Sequence, residues 1–325
     1  MAENGQKPFQ WAFIGTGTLA HSVAREICAS GRHSIAAAFS RRAEKVAEFT
    51  GLYGGKPCTD AEEAIKSADA VYVVTPHPSH FEYVKLAIEL GKPVLCEKPF
   101  TVKASETREL FDLAREKGVY IVEGMWTWFC PVAREVKAWL DSGALGDIQQ
   151  VVTNYRVNVL SYAPRLTDPV LAGGALLDSG VYPITYLYRL FGKPTGVRCT
   201  GLIKDGVDLS DDIYLSFPDG RTDHIALSIC DDERVEDIRL IGSKGEIYAD
   251  NFHYANKAEL RDKSGQVLET IDSPTTLLKE FDLVAEEIRA GRKESAYIPP
   301  RATLEVMEIL DECRRQIGLV YPFEV

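Results

Sequence analysis

After the run Phe9–Ile14 the chain reads Gly15-Thr16-Gly17-Thr18-Leu19-Ala20, a GxGxx(G/A) string at which a strand turns into a helix and backbone amides can hold a pyrophosphate. The first glycine permits the tight turn, the second lets the backbone approach the phosphates, and Ala20 lets the helix sit close to the sheet. Further on, where a site selective for an unphosphorylated ribose carries Asp or Glu, the chain reads Ser40-Arg41-Arg42. A hydroxyl and two guanidinium forks welcome a 2′-phosphate, and no carboxylate repels it, so NADP is expected in preference to NAD. The same three residues also suit a solvated helix start with Ser40 as its cap.

Two further stretches carry groups able to move a proton. Thr75-Pro76-His77-Pro78-Ser79-His80 and Cys96-Glu97-Lys98-Pro99 fall at the carboxyl ends of apolar runs, where doubly wound sheets bind ligands. Thr75, Pro76, His77, His80, Glu97 and Lys98 are therefore candidates to line the cofactor, with Lys98 the catalytic one. An ammonium at a strand end, desolvated and beside a cationic nicotinamide, can accept or relay a proton from a substrate hydroxyl; as a surface residue it would only pair with Glu97. His77 and His80 form an H-x-x-H, but proline lies between them and no third ligand is near, so no metal is expected. Asp178 and Tyr182 stand four apart and share one face once a helix has begun. Asp178 can also cap that helix, and Tyr182 can be core beside Tyr186. Trp126, Phe129 and Tyr155 are candidate walls for a substrate ring, with core packing expected for at least one of them.

The elements that must position these groups follow from the hydrophobic pattern. Apolar runs at 9–14, 33–39, 70–74, 93–96 and 120–122 alternate with amphipathic stretches, the pattern of a parallel sheet covered on both faces. Thr59-x-x-Glu62 and Ser79-x-x-Glu82 read as capping boxes, and Gly91 and Gly118 as helix ends. After Gly124 the rhythm changes: a helix over 132–140, a helix over 179–191, then strand-like runs with turn signals from 196 to 270, and closing helices over 277–289 and 302–317. The expected architecture is α/β: a doubly wound Rossmann domain over 1–124, then an α/β domain over 125–325 built on a large, mostly antiparallel open sheet. The helices available cannot cover both faces of that sheet, so a homodimer through it is expected. The 325 residues, at about 150 per domain, agree with two domains.

Lys+Arg number 37 and Asp+Glu 48, a net charge of −11, which leaves no basic field for nucleic acid or anionic lipid. The first ten residues lack the apolar core of a signal peptide, and no apolar run approaches the roughly 18 residues of a spanning helix. Seven scattered cysteines without a CxxC pair fit a reducing compartment, and a cytoplasmic protein is expected.

Three motifs in order, Gly15-Thr16-Gly17, Cys96-Glu97-Lys98-Pro99 and Gly173-Gly174-Ala175-Leu176-Leu177-Asp178 through Tyr182, resemble the glucose–fructose oxidoreductase/inositol dehydrogenase family, Gfo/Idh/MocA. The resemblance covers most of the chain. It implies that Lys98 is the essential lysine of a Glu-Lys-Pro motif, with Pro99 often preceded by a cis peptide bond, and that the open sheet commonly forms the subunit interface. Where many relatives carry histidine four residues after the aspartate, this chain has Tyr182, as does the dihydrodiol and D-xylose dehydrogenase branch. Tyr182, assisted by Lys98, is then the proton donor or acceptor, and Asp178 accepts a second substrate hydroxyl. The expected reaction is hydride exchange between NADP and a carbinol carbon of a small aldose, polyol or cyclic trans-diol. Two other readings keep the fold: a catalytically silent NADP-binding regulator, and an enzyme that uses bound nicotinamide in an internal redox cycle.

Overall fold

Continuous apolar runs with little alternation build strands buried on both faces, and they do so in the computed structural model, which describes residues 7–324. In the first half of the chain these are β1 (Phe9–Ile14), β2 (His33–Phe39), β3 (Lys56–Cys58), β4 (Ala70–Val73), β5 (Val94–Glu97) and β6 (Ile121–Gly124). They form one parallel sheet in the order β3-β2-β1-β4-β5-β6. The order reverses at β1, the topological switch point outside which open α/β sheets bind ligands. Interleaved are α1 (Thr18–Ala29), α2 (Ala43–Tyr53), α3 (Ala61–Lys66), α4 (His80–Glu89) and α5 (Ala104–Lys117). Gly118, in the left-handed region at φ 64°, ends α5 as expected.

The helix starts differ from the expected capping boxes. Asp60, not Thr59, caps α3, its carboxylate accepting the Glu62 N–H at 3.3 Å. A 3₁₀ turn over His77–Ser79 precedes α4, and the Ser79 side chain makes no cap bond. β3 escaped the sequence reading because it has three residues with Pro57 at its middle, a composition found only at sheet edges.

The remaining elements are α6 (Trp126–Phe129), α7 (Pro131–Asp141), β7 (Ile148–Asn158), α8 (Val181–Phe191), β8 (Gly196–Lys204), β9 (Val207–Ser216), β10 (Thr222–Ser228), β11 (Cys230–Gly242), β12 (Gly245–Asp250), β13 (Lys257–Asp262), β14 (Val267–Asp272), α9 (Leu278–Arg289) and α10 (Pro300–Ile317). β7 to β14 form an eight-stranded sheet in the order β14-β13-β12-β11-β7-β10-β9-β8. Only β7 and β10 pair in parallel; all other neighbours are antiparallel.

The chain divides into two compact units, Met1–Phe129 with Thr276–Thr303, and Cys130–Thr275 with Leu304–Val325. The single cut expected after Gly124 is corrected by this division, and the reason is aromatic packing. Phe281 of α9 is fully buried, with its ring 4.9 Å from those of both Trp11 on β1 and Tyr72 on β4. Glu26 of α1 also accepts the Leu277 N–H at 3.0 Å and the Thr276 hydroxyl at 2.7 Å. A late segment thus completes the first core. Among the described residues no helix is long and apolar enough to cross a membrane.

Candidate active site

In the first unit, β1 delivers Gly15 at its carboxyl end with φ 113°, and a Cβ there would lie 2.5 Å from the Val74 carbonyl oxygen. Only glycine fits so close a strand-to-strand approach. Gly17 precedes α1 with extended backbone, and no side chain bonds the first-turn amides. A Cβ on Gly17 would meet no atom within 4 Å, which leaves the start of α1 open to an anion, while Ala20 is fully buried behind it. Thr18 and Leu19 form the first turn, with Leu19 exposed.

A cavity of about 410 Å³ is lined by Gly15, Thr16 and Gly17, by Ser40, Arg41 and Arg42 after β2, and by Thr75 and Pro76 after β4. Ser40 joins the two turns: its hydroxyl accepts from Thr16 Oγ1 at 3.2 Å and from the Arg42 N–H at 3.3 Å. That arrangement differs from a cap, since the residue at the start of α2 is Arg42 and no side chain caps it. The Thr75 hydroxyl is buried in the cavity wall with no hydrogen-bond partner among the described residues. An open helix start, an orphaned hydroxyl, two guanidinium groups and no lining carboxylate fit a dinucleotide that carries a 2′-phosphate.

Three expected cofactor contacts take other roles. His80 is fully buried and bridges two strand ends, with Nε2 2.8 Å from the Thr75 carbonyl oxygen and Nδ1 3.0 Å from that of Pro99. Burial holds its pKa below the usual value, and the ring braces the floor of the crevice rather than lining it. His77 is buried in the preceding 3₁₀ turn, its ring 5.9 Å from that of His80. Glu97 is buried too, accepting from the Tyr72 hydroxyl at 2.6 Å and from the Lys98 N–H at 3.3 Å. Its carboxylate is therefore occupied within the unit. Lys98 follows β5 half-buried, and the Lys98–Pro99 peptide is cis. Glu123, which accepts from the Phe100 N–H and the Thr303 hydroxyl, is pushed up to about 7 by burial.

In the second unit the Gly173–Tyr182 segment is anchored by a buried acid. A Cβ on Gly174, at φ 115°, would collide with the Asp208 carboxylate, which accepts the Leu176 N–H at 2.6 Å. Asp211 beside it is pushed up to about 10 by burial and by the charge of Asp208. From that anchor a wide turn over Leu176–Gly180 leads into α8. Asp178 does not cap the helix; it accepts from Arg165 Nη2 at 2.8 Å. Tyr182 lies in the first turn of α8, its ring parallel to that of Tyr155 on β7 at 6.2 Å and 7°. The Tyr155 phenol is raised by burial first, then by the nearby charge of Glu236.

The other two proposed walls lie in the first unit. Trp126 is 8% exposed, whereas Phe129 is fully buried 5.6 Å from the Tyr297 ring and takes the core role. Sequence reasoning missed Arg165, Glu236 and His253. His253 packs its ring on both Tyr155 and Tyr182, and Glu236 holds it. No spacing rule links residues 155, 182, 236 and 253; sheet pairing and one helix bring them together.

Residues 9–125 match the family model described as an oxidoreductase family with an NAD-binding Rossmann fold, and residues 133–248 match the GFO/IDH/MocA C-terminal domain. The chain is 29% identical to an NADP⁺-dependent D-xylose 1-dehydrogenase of Hypocrea jecorina, over 99% of this chain and 95% of that one. It is 30% identical to a trans-1,2-dihydrobenzene-1,2-diol dehydrogenase of Mus musculus, over 96% and 98%. In fold it is similar to a 3-ketoreductase of Actinomadura kijaniata, solved with NADP and TDP-benzene, at a TM-score of 0.85 and 22% identity over 95% and 98% of the two chains.

Proposed function

Because the chain belongs to the GFO/IDH/MocA oxidoreductase family, we propose that it is an NADP-dependent dehydrogenase acting on a CH–OH group of a small aldose, polyol or cyclic trans-diol. The observation that carries this reading is the single cavity that joins the Gly15–Gly17 turn to Ser40, Arg41 and Arg42. Relatives named for D-xylose and for a dihydrodiol, each aligned over nearly the whole chain, support the substrate class.

When bound, the nicotinamide supplies hydride exchange with the carbinol carbon. The chain's own residues do the rest. The Gly15–Gly17 backbone and the first amides of α1 hold the pyrophosphate, and Ser40 with the two arginines holds the 2′-phosphate. Tyr182 takes the substrate hydroxyl proton in oxidation and returns it in reduction. Lys98 is the second group of this reading that accepts or relays a proton. Asp178, oriented by Arg165, accepts a hydrogen bond from a second substrate hydroxyl, and Tyr155 walls the ring. The protein works in the cytoplasm as a homodimer through the eight-stranded sheet; its edge-strand side chains Leu202, Ile203, Val267 and Leu268 are exposed in the single chain.

A panel of pentoses, hexoses, inositols and cyclic diols, scored for NADP-dependent absorbance change at 340 nm, tests the reading. Net NADPH formation with a sugar or diol is expected. Substrate turnover without net absorbance change would replace it with an internal redox cycle, and no turnover together with a co-purifying protein would replace it with a regulatory role.

A further inference from the structure

The parallel rings of Tyr155 and Tyr182 share a third neighbour. His253 lies 5.1 Å from the Tyr155 ring and 5.6 Å from that of Tyr182. It sits in the short 3₁₀ turn Phe252–Tyr254, which is bracketed by two left-handed residues that carry a Cβ, Asn251 and Ala255, each at φ 47°. Such conformations persist only where the surroundings over-determine them, and they gather at functional sites.

What over-determines this turn is Glu236 on β11. Its side chain is fully buried, and a buried carboxylate is tolerated only when paired and hydrogen-bonded. It contacts His253 Nδ1, accepts the His253 N–H at 3.3 Å and accepts Arg234 Nη2 at 2.8 Å. The Glu236 carbonyl accepts the Asn251 N–H at 2.6 Å. Phe252 wedges edge-on against Tyr155 and Tyr186, at 6.0 and 5.7 Å. One acid thus holds both the backbone and the ring of a histidine against the tyrosine to which proton transfer is assigned above.

We infer that His253, fastened by Glu236, is a positioning residue that sets the place and the acidity of the Tyr182 phenol. The inference rests on the dehydrogenase reading for its catalytic consequence, but not for its physical content. The ionisable groups around the two rings are Glu236, Arg234, Asp178, Tyr155 and Tyr254. Beside them, an N–H of His253 favours a phenolate, and the Glu236 carboxylate opposes one.

Two variants of the full-length protein separate these effects. His253→Phe keeps a ring beside the two tyrosines and removes the N–H groups; Glu236→Gln keeps an acceptor and removes the anion. The probe is the titration of ¹³Cζ-labelled tyrosine by NMR, with the Tyr182 resonance assigned by its loss in Tyr182→Phe. The Tyr182 midpoint is expected to rise by about half a pH unit or more in His253→Phe and to fall in Glu236→Gln. In the coupled assay His253→Phe is expected to lower kcat about tenfold or more while the Kd for NADP stays within about twofold. If either variant fails to fold, the other alone decides. Midpoints within about 0.2 units of the wild type in the folded variants would overturn the inference. That outcome is independent of turnover, so it is distinct from a failure of the dehydrogenase reading, which the substrate panel reports.

Discussion

The cofactor cavity of the first unit and the ring cluster of the second are built by opposite means. The cavity comes from short contiguous turns, Gly15 to Gly17 and Ser40 to Arg42, each placed at a strand end by local chemistry. The cluster takes Tyr155 from β7, Tyr182 from α8, Glu236 from β11 and His253 from a turn after β12. The first depends on backbone conformation and exposed positive charge. The second depends on ring packing around buried acids, whose place is set only once strands have paired. A site made of backbone is written locally, whereas a site made of side-chain contacts is assembled from distance.

The comparison can be broken first at the proposed chemistry. Lys98→Ala in the first unit and Tyr182→Phe in the second are each expected to lower kcat by about 10²–10⁴-fold in steady-state assays with saturating NADP. Near wild-type kcat in either would remove that unit from the proton transfer. Next come the two glycines. Gly15→Ala, forced against Val74 at positive φ, and Gly174→Ala, forced against Asp208, should each cost about 2–4 kcal/mol in urea unfolding. Gly15→Ala should also weaken NADP binding in a fluorescence titration, and Gly174→Ala should not. Equal loss of NADP affinity in both would erase the distinction between the units.

A smaller effect is expected from Ser40→Asp, which puts a carboxylate at the end of β2. Kd for NADP should weaken by about tenfold to a hundredfold, roughly 1.4–2.7 kcal/mol, and Kd for NAD should improve. A wild-type preference for NAD would defeat the assignment of Ser40, Arg41 and Arg42 to a 2′-phosphate.

The smallest effect is in the pH dependence of stability. Burial raises Glu123 from an ordinary 4.5 to about 7, so the folded state binds more protons than the unfolded one between those values. Its contribution is full below about 4.5 and is lost as the pH rises through 7. Glu123→Gln cannot titrate. Its Tm relative to the wild type should therefore climb by about 2–4 °C between pH 5 and pH 8, part of the gain being offset by the weaker bond to Thr303. Asp282 has the opposite sign: burial would raise it, but the hydrogen bonds from His33 and Arg32 prevail and hold it at about 2. Its contribution is present above about 3.8 and fades as the pH falls toward 2.

Much of the first unit was legible in the residues. Strands at 9–14 and 33–39 appear with the expected bounds because short, mostly apolar runs bury best inside a sheet. The cofactor turn was legible because Gly15 and Gly17 act through what they lack, a side chain. Where His80 and Glu97 point was not legible, because proximity to a strand end does not tell which way a side chain turns. His80 turned to two carbonyls and Glu97 to Tyr72. The early end assigned to the first domain reflects the same limit, since nothing in the periodicity of α9 says that Phe281 seats against Trp11.

The family resemblance proposed roles for Lys98, Asp178 and Tyr182, and by itself the sequence determined the alternation of strands and helices and the phosphate turn with its basic neighbours. Those follow from period, backbone conformation and charge, which act over a few residues. Tertiary structure alone decided that Asp178 is held by Arg165, that the buried Asp208 anchors the segment before α8, and that Glu236 clamps His253 against two tyrosines. Burial and ring contact are long-range in sequence, and they exist only after the eight strands have found their order.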